Sequence, residues 1–214
     1  MTTKDHTVRG VLRQLKADLA IFSEEPHLEA QVLLMHVLGQ PKEWILAHPE
    51  AEVTPDQEAA LERAIETRRK GTPLPYVIGH WEFFGLDFIV TPDTLIPRPE
   101  TELMVETALD WLRQHPTQRT ALDVGTGSGA IAISLADQIY DLRVFATDIS
   151  RPALEVAAQN AEAKTSQGQV NFFQSDLASC VRGVFNVICA NLPYIPTATL
   201  AQLPIHGHEP TLAL

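Results

Sequence analysis

Between positions 8 and 22 the apolar residues Val8, Val11, Leu12, Leu15, Leu19 and Phe22 recur mostly at three- and four-residue steps, the spacing of a helix with one buried stripe. A second helix is expected from Pro26, carrying Leu28, Val32, Met35 and Leu38 and stopping at Gly39, with a short piece around Trp44, Ile45 and Leu46. The next carries its own punctuation. Thr54 suits the N-cap, Pro55 the first turn, and Gln57 completes a capping box. Leu61 and Ile65 supply an apolar face, and Gly71 follows the last turn. Residues 1–71 are therefore expected to form a small all-α bundle.

The pattern then changes. Thr72 to Pro75 is linker-like, and Val77–Phe84 and Leu86–Val90 flank Gly85 with aromatic and β-branched residues. That predicts a β-hairpin linker over 72–97. From residue 98 helix and strand alternate. A helix carries Leu103, Met104, Ala108, Leu109 and Leu112, and strands are expected at Ala121–Val124, Leu142–Thr147, Val170–Phe173 and Val184–Ala190, with a helix over Pro152–Ala163. This rhythm predicts an α/β domain over 98–214, built of parallel βαβ units, with ligands bound beyond the carboxyl ends of the strands.

Charge narrows the class. Lys and Arg total 16 against 27 Asp and Glu, a formal charge of −11 over 214 residues. Phosphate contacts need clustered cations, so direct nucleic-acid binding is not expected. The one basic run, Arg68-Arg69-Lys70, reads as a helix C-terminus, where cations favour the dipole. Cys180 and Cys189 lack C-x-x-C spacing and read as reduced, small core residues. No run has transmembrane length and the N-terminus lacks a signal-peptide pattern, so a cytoplasmic protein without a membrane partner is expected. His206 and His208 lack further ligands at metal-binding spacing, so no metal is expected.

The candidate chemistry falls at strand ends. Gly125-Thr126-Gly127-Ser128-Gly129 joins a strand to a helix, and glycines there let backbone approach a ligand closely. The spacing departs from the G-x-G-x-x-G of dinucleotide binders, which disfavours NAD. Asp148 ends the next strand nineteen residues after Gly129, where a carboxylate can accept hydrogen bonds from ribose hydroxyls. Loop and acid together resemble the fingerprint of class I (Rossmann-like) S-adenosylmethionine-dependent methyltransferases. The resemblance implies that residues 125–129 lie against the methionine part of that cofactor, and that Asp176 and Leu177, past the third strand, meet its adenine. A solvated loop aspartate is an equal reading of Asp176.

The fourth strand ends in Asn191-Leu192-Pro193-Tyr194, similar to the N-P-P-Y signature of enzymes that methylate amide or exocyclic nitrogens. Such a nitrogen is a poor nucleophile because its lone pair is delocalised. Acceptors on its N–H bonds orient it and stabilise the charge that builds as it attacks. The Asn191 side-chain carbonyl and the backbone carbonyl of Leu192 can be those acceptors. Pro193 restricts residue 192 to extended conformations, and the Tyr194 ring can pack on the amide. Leu192 stands where the common motif has proline, which loosens that preorganisation.

Three stretches resemble the release-factor glutamine methyltransferase family. They are Ile96-Pro97-Arg98-Pro99-Glu100-Thr101-Glu102, Asn191 to Pro196, and Glu209-Pro210-Thr211-Leu212-Ala213-Leu214. The order of bundle, hairpin and methyltransferase domain is similar too. The resemblance implies methylation of the side-chain amide nitrogen (N5) of the glutamine in the Gly-Gly-Gln motif of class 1 peptide chain release factors. Asn191, Pro193 and Tyr194 would be catalytic, Asn191 would also border the cofactor, and Leu192, Arg98 and Glu100 would contact substrate. The bundle would help to hold the protein partner, and a monomer is expected. In that family the sheet continues beyond this point, so the chain reads as C-terminally truncated, with low stability or activity expected. Two other readings share these motifs: a nucleic-acid methyltransferase acting on adenine N6 or guanine N2, and a non-catalytic fragment that binds S-adenosylmethionine.

Overall fold

The first helix, α1 (Val8–Leu19), is capped by Thr7, whose hydroxyl accepts from the Gly10 amide. It buries Val8, Val11, Leu15 and Leu19, while Phe22 lies beyond its end. A computed structural model describes residues 5–195, 199 and 207–214. The chain divides into two compact units, Met1–Ile78 and Gly79–Leu214.

The first unit continues with α2 (Pro26–Leu38), α3 (Lys42–Ala47), α4 (Pro55–Arg69) and α5 (Leu74–Ile78). The expected phase of α2 is corrected. Ala30, Gln31, Leu33 and Leu34 are its buried positions, while Leu28 is 49% exposed. The near-continuous apolar stretch Val32–Met35 hides the helical period in the sequence. Both halves of the Thr54/Gln57 capping box form. Arg68 and Arg69 occupy the last turn of α4. Arg68 is mostly buried: Nε and Nη2 donate to the two Glu29 oxygens at 3.0 and 2.6 Å, and Nη1 to the Thr72 carbonyl. A bidentate pair of this kind ties α4 to α2. Helix α5 takes residues 77 and 78 out of the expected hairpin. The Pro73 carbonyl accepts from Tyr76 and Val77, and Gly79, at φ +81°, ends the turn.

The second unit opens with strands β1 (His80–Phe83) and β2 (Leu86–Ile89), paired antiparallel. Their two-residue turn, Phe84–Gly85, has positive φ at both positions, the type I′ geometry that matches strand twist. Phe83 and Phe88 are fully buried, edge to face at 6.1 Å, in one core with Val105, Leu109, Leu112 and Leu135. Then follow α6 (Pro99–Gln114), β3 (Thr120–Val124), α7 (Ala130–Gln138), β4 (Arg143–Asp148), α8 (Arg151–Lys164), β5 (Val170–Gln174) and β6 (Val187–Ala190). On α6 the buried residues are Val105, Ala108, Leu109 and Leu112, while Leu103 is exposed.

The four strands β3 to β6 pair in parallel in the order β5-β4-β3-β6, so α/β with a parallel sheet is the observed class. Strand order reverses between β3 and β6, and a crevice opens at their carboxyl ends. Strand β6 begins at Val187, later than expected, because Asn186 turns its side chain onto Thr120 and Val184 is 89% exposed. Cys189 is buried on β6, whereas Cys180, expected in the core, is exposed. No described helix is long and apolar enough to cross a membrane.

Candidate active site

The crevice is a cavity of about 370 Å³, bordered by residues from six segments of the second unit. Such a volume suits a small-molecule ligand. Among the anticipated site residues, Gly125, Thr126, Gly127, Ser128, Asp148, Asp176, Leu177, Asn191, Leu192, Pro193 and Arg98 border it. Gly129, Glu100 and Tyr194 do not. Gly129 is the residue that opens α7, Glu100 is exposed, and Tyr194 is 84% exposed.

The glycine loop is shaped by β4. Amides of Gly125 and Thr126 both donate to the Thr147 carbonyl, at 2.8 and 2.9 Å, which turns the chain sharply after β3. Two positions show why side chains are excluded. A Cβ on Gly125, at φ +73°, would lie 2.9 Å from Leu192 Cδ2, and one on Gly129, at φ +83°, would lie 2.7 Å from Ile133. Leu192 thus packs directly on the loop.

Asp148 both builds and borders the site. Its Oδ2 accepts from the Gly127 amide and its Oδ1 from the Ser150 amide, each at 2.9 Å. A carboxylate has roughly four lone-pair sites, so each oxygen retains capacity for a ligand hydroxyl. The Asp148 carbonyl accepts from the Ser175 amide, which carries the chain into Asp176 and Leu177. Leu177 has φ +49°, a left-handed conformation that side chains disfavour, beside the cavity. Backbone strain of this kind clusters at ligand sites. The glycine cradle, a carboxylate with acceptor capacity to spare and the apolar Leu177 fit an adenosyl group.

Sequence reasoning gave no site role to four residues, although Thr101 and Glu209 stand in stretches it singled out. Asp123 is fully buried beneath the loop, accepting from the Thr126 hydroxyl at 2.6 Å. Burial pushes its carboxyl up to about 6, helped by the like charge of Asp148 and opposed by the Thr126 hydroxyl and the Ala132 amide. The same burial, with Asp123 beside it, raises the Cys189 thiol to about 12, so it stays protonated and inert. Asn160, fully buried on α8, clamps the loop to the hairpin. Its Nδ2 donates to the carbonyls of Ser128 and Ile89, both at 3.0 Å, and its Oδ1 accepts from the Ile89 amide at 2.8 Å. A polar residue between Ala157 and Ala161 on a buried helix face was the available signal.

Glu209 and Thr101 are the other two. Glu209 is buried, pairs with Arg98 and accepts from the Ile96 amide. This holds residues 209–214 beside the cavity, where Ile195 donates to the Leu214 carbonyl at 3.1 Å. Thr101 accepts from Asn191 Nδ2 at 3.2 Å. Glu102 accepts from the Phe84 amide at 2.9 Å, so the 96–102 segment links the hairpin, the 209–214 segment and the loop after β6. Pro196 and His206 lie outside the described residues.

The chain is similar to known proteins along most of its length. Family models for the PrmC N-terminal domain and the methyltransferase small domain match residues 11–79 and 100–202. A curated release factor glutamine methyltransferase of Moorella thermoacetica is 45% identical over 89% of this chain and 68% of its own length. Proteins of the same name from Chlorobaculum tepidum and Escherichia coli are 38% and 39% identical, covering 98% and 89% of this chain and 76% and 66% of theirs. With a methyltransferase domain behind a helical N-terminal unit, and relatives of one name along nearly its whole length, the chain belongs to the release factor glutamine methyltransferase family.

Proposed function

We propose that this protein transfers a methyl group from S-adenosylmethionine to the side-chain amide nitrogen of the glutamine in the Gly-Gly-Gln motif of class 1 peptide chain release factors. The observation that carries the reading is the convergence of Asn191, Asp148 and the glycine loop on one cavity, in a chain of this family. The bound cofactor supplies an electrophilic methyl on a positively charged sulfur.

In this reading the glycine loop receives the methionine part, Asp148 the ribose hydroxyls, and Asp176 and Leu177 the adenine. The chain's work at the reacting centre is orientation. Asn191 Oδ1 and the Leu192 carbonyl accept from the two N–H bonds of the target amide, which fixes its plane and aims its lone pair along the line of displacement. Both carbonyl dipoles stabilise the positive charge that grows on nitrogen during attack. Pro193 holds the Leu192 carbonyl extended. Tyr194, exposed and next in the chain to Pro193, is available to pack on the incoming amide, and Arg98, held by Glu209, shapes the substrate side of the cavity. The helices of residues 1–71 recognise the release factor, and residues 98–214 carry the chemistry, as a cytoplasmic enzyme that needs no metal.

Incubation with methyl-labelled S-adenosylmethionine and, in parallel, a release factor, duplex DNA or RNA tests the assignment. Label is expected in the release factor alone. Label confined to nucleic acid would overturn it.

A further inference from the structure

Asn191 can accept from a substrate amide only if its own amide group is turned the right way. The side chain carries a carbonyl on one side and an NH2 on the other. Turned by half a rotation it would present N–H donors to a substrate group that also offers N–H donors. Something must therefore fix its orientation before substrate arrives. The only hydrogen bond of the Asn191 side chain among the described residues runs from Nδ2 to Thr101 Oγ1, at 3.2 Å.

Thr101 is well placed for this task. It sits in the first turn of α6, its amide donating to the Arg98 carbonyl at 3.0 Å, and it borders the same cavity as Asn191. Its neighbours are anchored on both sides, Arg98 by Glu209 and Glu102 by the Phe84 amide. With the turn anchored on both sides, the Thr101 backbone holds Oγ1 within hydrogen-bond reach of Asn191 Nδ2. With Nδ2 engaged there, Oδ1 points away from Thr101.

We propose that Thr101 is a positioning residue, which sets the rotation of the Asn191 amide so that its carbonyl faces the substrate nitrogen. The proposal rests on the methylation reading above. It gives the 96–102 segment a part in turnover through Asn191, without contact to the reacting atoms.

The test compares wild type, Thr101→Val and Thr101→Ser in steady-state methylation of a release factor, with S-adenosylhomocysteine affinity and thermal melting measured on each protein. Valine keeps the shape and removes the acceptor; serine restores it. Expected is a fall in kcat of about tenfold or more in Thr101→Val, with cofactor affinity and melting near wild type, and recovery of most turnover in Thr101→Ser. Full kcat in Thr101→Val overturns the proposal. So does a loss of kcat matched by an equal loss of cofactor affinity, or a serine variant as slow as the valine one. A wild-type protein that leaves the release factor unmethylated refutes the underlying reading and the proposal with it, and this shows before any variant is compared.

Discussion

Replacing Asp123 by asparagine should remove a pH dependence of stability that the buried carboxyl builds into the fold. The wild-type carboxyl is fully buried, and its pKa rises from 3.8 to about 6 on folding. Asparagine keeps one oxygen to accept from the Thr126 hydroxyl, the bond now made at 2.6 Å, and removes the charge; it also puts an NH2 in place of the other, buried oxygen, a cost that is the same at every pH. Between those two pKa values the folded state binds more protons than the unfolded state. Stability therefore falls as pH rises through this window and stays lowered above it. A shift of about two units corresponds to about 3 kcal/mol at pH 8. The stability of the asparagine variant relative to wild type should therefore rise by about that amount between pH 4 and pH 8, from the offset that the buried NH2 sets. Urea denaturation followed by far-UV circular dichroism at several pH values measures it. A difference that does not change between pH 4 and pH 8 would refute the reasoning, because burial of charge would then not be the cause of the shift.

Three further outcomes follow from single side chains. Asp148→Ala removes the partner of the Gly127 and Ser150 amides as well as the proposed ribose acceptor, so S-adenosylhomocysteine binding, read by calorimetry, should weaken by about tenfold or more. Asn160→Leu leaves the Ile89 amide and the Ser128 and Ile89 carbonyls without their partner, which should destabilise the second unit by about 2–4 kcal/mol in the same urea assay. Thr54→Ala removes the cap of α4 and should lower stability by about 1 kcal/mol while leaving methylation rates unchanged.

The parts of the site that were legible from sequence are those that backbone geometry imposes locally. The glycines at 125 and 129 mark positive φ and close approach, and Asp148 and Asn191 stand at strand ends, where strand periodicity locates them. What escaped is tertiary. Thr101 and Asn191 are 90 residues apart, Asn160 and Ile89 71, and Glu209 and Arg98 111. Nothing in local spacing selects those partners. The phase of α2 escaped for a different reason: consecutive apolar residues carry no period. The turn Phe84–Gly85 was read only through its glycine, because a phenylalanine at positive φ runs against local preference and is held by Glu102 from another segment.

The most direct measurement is a fragmentation mass spectrum of release-factor peptides after incubation with S-adenosylmethionine and either wild-type protein or Asn191→Ala, with cofactor affinity checked on both. The expected result is one methyl group on the side-chain nitrogen of the Gly-Gly-Gln glutamine with wild type, and none with Asn191→Ala at near-equal cofactor affinity. A methyl group on any other residue, or an equal yield with Asn191→Ala, would contradict the assignment of this cavity and of Asn191 within it.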